Sequence, residues 1–436
     1  MEDLRNRRDL LADLAGSLWF LPTTFIALAL AAGAILSSVE VEPDTIVGRV
    51  AFSGDAEHAR QLLIVVTGTM ITVTSLVFAL TVVALQIAST QFSPRLLRSF
   101  LRDRGAQVVL STFVATVAYA MAGLHTVGGV DAHGDVFLPR LAVSGALVLA
   151  LISVGMLVYY IHHLTDSIRI DSVMQRIERS TVRLIRRRSP LLDGGSAPAV
   201  EAPAPPNDAV VIPAARSGYL QRLHLRTLAT RLQDLGAAVE LVLLVGYHVT
   251  EGRPLALAWS TSGEPLDVEA VGRLLHDRVE LAAERKTEID LGFDLRQLVD
   301  IASRSLAPGL NDPYTAVQAI DHLSVLLSEL SRRVLPDVVL RDGTQTVRVV
   351  APTPTLATHL EVVCSQLRQS ADGRPRVYVA LVRMLEDVGR LAARDEYRQA
   401  VAQQLDRLEA DAERTVAVPD DLGEVGTALA RARAAG

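Results

Sequence analysis

The stretch QLLIVVTGTMITVTSLVFALTVVALQIA, Gln61 to Ala88, contains no aspartate, glutamate, lysine or arginine. A helix needs about 20 apolar residues to cross the hydrocarbon core of a bilayer. The stretch is longer than that, so it predicts a membrane span, and this reading sets the frame for the rest of the chain. Leu14 to Leu36, Ala106 to Val127 and Leu138 to Ile161 meet the same test without a charge in their interiors. The first is no signal peptide, because its apolar run is too long, it starts with mixed charges and no Ala-x-Ala cleavage pattern ends it.

Within span two, Thr67, Thr69, Thr72, Thr74, Ser75 and Thr81 form a hydroxyl stripe. Two readings stay open. Small and hydroxyl residues let helix backbones approach, and their oxygens bond the preceding turn. Alternatively the stripe lines a water-filled path, with Thr67, Thr74, Ser75, Thr81, Gln86, Gln91 and Arg95 as pore-lining candidates, the last three at its inner mouth. Ser93 and Pro94 suit an N-cap and a first helical residue, so a turn along the membrane surface is expected at Phe92 to Arg95.

Arginine-rich loops stay on the cytoplasmic side. Arg5, Arg7 and Arg8 precede span one, Arg95, Arg98, Arg102 and Arg104 separate spans two and three, and a longer group follows span four. These alternate with acidic loops holding Glu40, Glu42, Asp44, Asp55 and Glu57 on one and Asp131 and Asp135 on the other. Both termini are therefore expected in the cytoplasm of a bacterial cell, with the chain multi-pass in its plasma (inner) membrane. Trp19, Tyr159 and Tyr160 fall where amphipathic rings prefer the interface. The net charge of −6 says little, because charge is segregated along the chain. No nucleic-acid partner is implied.

The organisation follows as a four-helix transmembrane domain over 1–161, an amphipathic basic connecting helix over 162–188, a Pro/Ala linker over 189–207, a small β domain over 208–262 and a mainly helical domain over 263–436 with a hairpin near 338–350. The fold class is a membrane α-helical bundle followed by an α+β cytoplasmic region. In the connecting helix Arg183, Arg186, Arg187 and Arg188 could hold anionic lipid head groups or simply solvate an outer face. The adjacent His162 and His163 point to different sides of a helix and cannot chelate one metal by themselves. Strand, turn and strand around Gly246 to Ala256 resemble the barrel-sandwich hybrid of lipoyl-type domains. No lysine occupies the hairpin position for a swinging arm. The tail from Val418 reads as polar and frayed.

The stretch SLAPGLNDPYTA, Ser305 to Ala316, concentrates turn chemistry between two helical patterns. Gly309 is the expected left-handed terminator of one helix, Asp312 the N-cap of the next and Pro313 its first residue. Asn311, Asp312 and Thr315 exceed what a corner needs and are candidates for a polar pocket. Asn311 could instead satisfy the carbonyls of the ended helix.

Enzyme constellations are lacking: the chain has no phosphate loop, HExxH, nucleophile elbow or dinucleotide fingerprint. Asp321 and His322 are the best acid-base candidates, and helical surface polarity accounts for them. The single cysteine, Cys364, excludes an intramolecular disulfide and a Cys-based zinc site. No catalytic residue, metal site or cofactor is expected.

TVTSLVFALTVVALQIASTQFSPRLLRSFLRD (Thr72 to Asp103), SGYLQ (Ser217 to Gln221), ERKTEIDLGFDLRQLVDIA (Glu284 to Ala302) and SLAPGLNDPYTA together resemble a family of bacterial integral membrane proteins catalogued as a domain of unknown function. The resemblance spans about Leu14 to Leu391. It departs at Gly246-Tyr247-His248-Val249, and it implies no activity. Two functions remain. One is a homo-oligomeric ion channel with span two facing a central axis and a cytoplasmic regulatory domain. The other is a non-conducting scaffold or sensor that binds a protein, lipid or small ligand through its cytoplasmic domain.

Overall fold

Long uninterrupted apolar runs have only one way to satisfy their backbone inside lipid, which is to close every hydrogen bond within the helix. The computed structural model describes residues 20–39, 51–91, 103–127, 138–188, 203–283, 285, 291–333, 335 and 337–435, with side chains 88–91 and 188 excepted. Four helices in it are long and apolar enough to cross a membrane. They are α1 (Phe20–Ser38), α2 (Ala56–Gln91), α3 (Arg104–Thr126) and α4 (Arg140–Ile168). The chain forms two compact units, Met1–Val173 and Met174–Gly436.

In the first unit α3 is the central helix, with 50% of its apolar window buried against 17–22% for the others. Small residues allow this. A Cβ on Gly33 of α1 would lie 2.8 Å from the Ala122 Cβ and 3.2 Å from the Tyr119 carbonyl of α3, so glycine sets how closely the two helices approach. Thr116 of α3 meets Ser153 of α4 at 3.0 Å. At the start of α3, Asp103 accepts from the Gly105 N–H at 2.8 Å and reaches His163 Nε2 of α4 at 2.7 Å. Tyr159 stacks on the same imidazole, its centroid 5.5 Å away. Tyr160, assigned above to the interface, is instead buried in the bundle, because its hydroxyl has a partner there in Thr81.

The connecting helix is shorter than its sequence pattern suggests. α4 runs on to Ile168, Arg169 is extended (φ −68°, ψ 126°), and α5 covers Ile170–Arg188. Met174, Ile177, Thr181 and Ile185 form its buried face at helical spacing.

The second unit is built on two sheets. The strands are β1 (Val210–Pro213), β2 (Gly218–Leu223), β3 (Ala237–Leu241), β4 (His248–Val249), β5 (Pro254–Ser260), β6 (Val279–Ala282), β7 (Val338–Arg341) and β8 (Val347–Ala351). Their orders are β1-β5-β3-β8-β7 and β4-β2-β6. The hairpin β7–β8 therefore joins the larger sheet, where β8 runs parallel to β3 with Val239 opposite Val349. Helices α6 (Leu225–Asp234) and α7 (Val268–Arg278) contribute Leu228, Leu232, Val271 and Leu275 to the core beneath it. A helix-backed mixed sheet thus replaces the barrel-sandwich expected from the turn pattern. Leu228 and Leu232 stand one helical turn apart, and Gly236 at φ 59° ends that helix.

The helical part comprises α8 (Leu291–Ser305), α9 (Pro313–Ser331), α10 (Leu356–Ala371), α11 (Pro375–Arg390), α12 (Asp395–Thr415) and α13 (Pro419–Ala435). The tail is not frayed, because Val425, Ala428, Leu429 and Ala432 give α13 a buried stripe that packs on α11. Asp420, Asp421, Glu424, Arg431 and Arg433 dilute that apolar stripe, which hid it in the sequence.

Candidate functional site

The corner between α8 and α9 is closed by its own backbone. Leu310 and Asn311 N–H groups donate to the Ala307 carbonyl at 3.0 and 2.9 Å, and Asp312 N–H donates to Ser305 at 2.7 Å. The left-handed residue is Asn311 (φ 45°), not Gly309. Asparagine tolerates this conformation because its short amide finds local partners. Here Asn311 Oδ1 accepts from Arg374 at 3.3 Å, which ties the corner to the α10–α11 turn. That turn is also left-handed at Asp372 (φ 45°) and Gly373 (φ 74°). A Cβ on Gly373 would lie 2.5 Å from the Thr415 carbonyl oxygen, so glycine is required there.

Asp312 caps α9. Its carboxylate accepts from Thr315 Oγ1 at 2.6 Å and from the Thr315 N–H at 3.1 Å. These bonds, the hydroxyl first, hold the Asp312 carboxyl below its usual range. Thr315 is buried and its hydroxyl is spent on this cap. Of the three pocket candidates, then, Asp312 and Thr315 serve each other.

A cavity of about 530 Å3 nevertheless opens beside the corner. It is lined by Pro313 and Val317, one turn apart on α9, by Val379 and Ala380 of α11, and by Tyr314, Arg376, Arg383 and Glu424. Tyr314 is 72% exposed. Sequence reasoning missed the α11 and α13 contributions, since nothing local marks Arg376 or Glu424 as near residue 313. The acid-base candidates are otherwise engaged: Asp321 pairs with Arg383, and His322 Nδ1 meets Glu178 Oε2 at 2.5 Å.

That second contact belongs to the docking of α5. Thr181 Oγ1 donates to Asp294 Oδ2 at 3.0 Å, and Arg186 Nε donates to Glu329 at 3.0 Å, where Arg333 also donates at 2.7 Å. Burial opposes ionisation of Glu329, and the two guanidiniums outweigh it and leave the carboxyl below its usual range. Among the lipid head-group candidates, Arg186 is thus engaged with protein, Arg183 donates to the Arg179 carbonyl and Arg187 is exposed. Only the helical backbone of Arg188 is described.

Three of the pore-lining candidates on α2 bond back to their own helix. Thr74 donates to the Met70 carbonyl at 2.6 Å, Ser75 to Ile71 at 2.9 Å, and Thr81 to Val77 at 2.7 Å while meeting the Tyr160 hydroxyl at 2.5 Å. Thr67 Oγ1 is buried without a partner among the described residues. Gln86 lies on the exposed side of α2, Gln91 ends the helix, and Arg95 and the expected surface turn at Phe92 to Arg95 lie outside the described residues, Phe92 included.

Four N-terminal helices long and apolar enough to cross a membrane, followed by a mixed helical and sheet region, place the chain among predicted membrane proteins. The chain belongs to the family described as Predicted membrane protein (DUF2254), whose model matches residues 15–387. It is similar to an uncharacterized protein of Mycobacterium bovis and to another of Mycobacterium tuberculosis, each 41% identical over 98% of this chain and 82% of the relative. No solved structure matches.

Proposed function

We propose that this protein is a non-conducting, membrane-anchored receptor: its spans hold a C-terminal unit that binds a small ligand, and binding rather than catalysis is its task. The observation that carries this reading is the cavity at the Asn311 corner, lined largely by apolar surface and still open after Asp312 and Thr315 have satisfied each other. Concave, largely apolar sites with a few placed polar groups are the usual form of a ligand site. The bonding of Thr74, Ser75 and Thr81 back to their own helix supports an anchoring role for α2. The alternating arginine groups support a cytoplasmic placement of both termini at a bacterial plasma membrane.

Cysteine labelling tests the reading. Cys364 is buried, so a Cys364→Ser chain is a clean background. A membrane-impermeant maleimide should label an exposed Ser53→Cys control and leave Thr74→Cys and Thr81→Cys unlabelled. Labelling at Thr74→Cys would overturn a dry span.

One observation favours a second reading, a homo-oligomeric channel with α2 around its axis. Thr72 and Ser75 lie on the exposed side of α2, where another copy would meet them. Crosslinking between chains at Ser75→Cys is its expected result.

A further inference from the structure

The cavity beside the Asn311 corner carries a pattern of used and unused charge. Asp312 spends both carboxylate oxygens on Thr315. Arg383 is neutralised by Asp321. Asn311 has given its acceptor oxygen to Arg374. What remains on the wall is one cation and one anion without an ion pair among the described residues: Arg376, in the first turn of α11, and Glu424, in the second turn of α13. The same cavity is lined by the apolar Pro313, Val317, Val379 and Ala380 and by the exposed Tyr314.

Each simple ligand class leaves something unmatched. An organic anion would meet Arg376 and also the like charge of Glu424. An organic cation has the reverse conflict, and an uncharged apolar molecule would cover both charges without pairing either, at a desolvation cost. A small molecule with both charges and an apolar body satisfies all three features. We infer that the cavity is a binding site for a small zwitterion with an apolar or aromatic body, of the amino-acid or short-peptide class, its carboxylate on Arg376, its ammonium on Glu424 and its body against Val317 and Val379. The inference rests on the receptor reading above and gives its ligand a chemistry. Arginine suits the role because its planar donors accept a carboxylate in two parallel bonds, a geometry lysine does not reproduce.

The test is equilibrium dialysis of the full chain in lipid nanodiscs against phenylalanine, phenylalaninamide and N-acetylphenylalanine, with empty nanodiscs as the blank. Phenylalanine should bind saturably at one per chain, with the amide and the acetylated compound at least tenfold weaker. Arg376→Ala should weaken phenylalanine at least tenfold and leave phenylalaninamide unchanged. Glu424→Gln should do the same for phenylalanine and leave N-acetylphenylalanine unchanged. Both side chains are exposed, so the variants should melt with the parent chain, and Val379→Trp, which fills the cavity, should abolish all binding. Absence of saturable binding above the blank overturns the proposal. So does phenylalanine binding that Arg376→Ala and Glu424→Gln leave unaltered. Either result leaves the receptor reading to the labelling of Thr74→Cys, which is independent of ligand chemistry.

Discussion

The two units of this protein handle polar groups in opposite ways. In the membrane unit the described hydroxyls of α2 mostly turn back on their own helix, while the polar contacts between helices among the described residues include Thr81 with Tyr160, Thr116 with Ser153 and Asp103 with His163. In the C-terminal unit polar groups reach across elements, as Arg374 does to Asn311, Tyr378 to Asp411 at 2.6 Å, and Arg348 to Asp342 at 2.7 Å. The difference follows from solvent. Lipid offers no competing hydrogen bonds, so a hydroxyl is satisfied by its own backbone at almost no ordering cost. Water competes with the exposed Arg374–Asn311 bond and is kept from the buried Tyr378–Asp411 and Arg348–Asp342 links, which are therefore the stronger ones. Tyr378 shows the shielding, since burial and then the Asp411 carboxylate push its hydroxyl up to about 12.

The contrast is broken most severely by removing packing. Leu323, fully buried in α9, should cost about 3 kcal/mol when changed to alanine, from lost transfer energy and the cavity left behind. Leu63 in α2 is equally buried, yet lipid tails are as apolar as its present neighbours. Leu63→Ala should therefore cost only about 1–2 kcal/mol, the dispersion part. Thermal unfolding of both variants in nanodiscs, followed separately in each unit, measures the difference. Equal losses would contradict the solvent argument.

A milder break is Asp312→Ala, which removes the α9 cap and should cost about 1 kcal/mol. The sign of its pH dependence is fixed by the lowered carboxyl: the stabilisation is present above the ordinary value of 3.8 and is lost as the pH falls through the lower folded value. An acid titration of stability should lose that part of its slope in Asp312→Asn. Smallest is Thr81→Val, which deletes one interhelical bond and should cost about 0.6 kcal/mol. A double-mutant cycle with Tyr160→Phe isolates it.

The membrane half was legible in the sequence because hydrophobic run length is a local property, and the spans needed nothing beyond their own residues. The capping roles of Asp312 and Pro313 were legible for the same reason. The corner's left-handed residue was misplaced, since Gly309 has the freer backbone but Asn311 has the partner, Arg374, which lies 63 positions away. The larger sheet was hidden because its parallel pairing joins Val239 to Val349 across intervening helices, and no local pattern reports such a register. The cavity is likewise nonlocal: the motif residues supply part of its lining, while Arg376 and Glu424 come from α11 and α13.

The central claim is that α2 anchors and does not conduct. Its most direct test is the current across planar bilayers or proteoliposomes containing the full chain, swept over voltage and with phenylalanine present or absent. The account predicts a conductance equal to that of protein-free membranes and unchanged by Thr74→Val or Thr81→Val. A protein-dependent current that either substitution alters would contradict it.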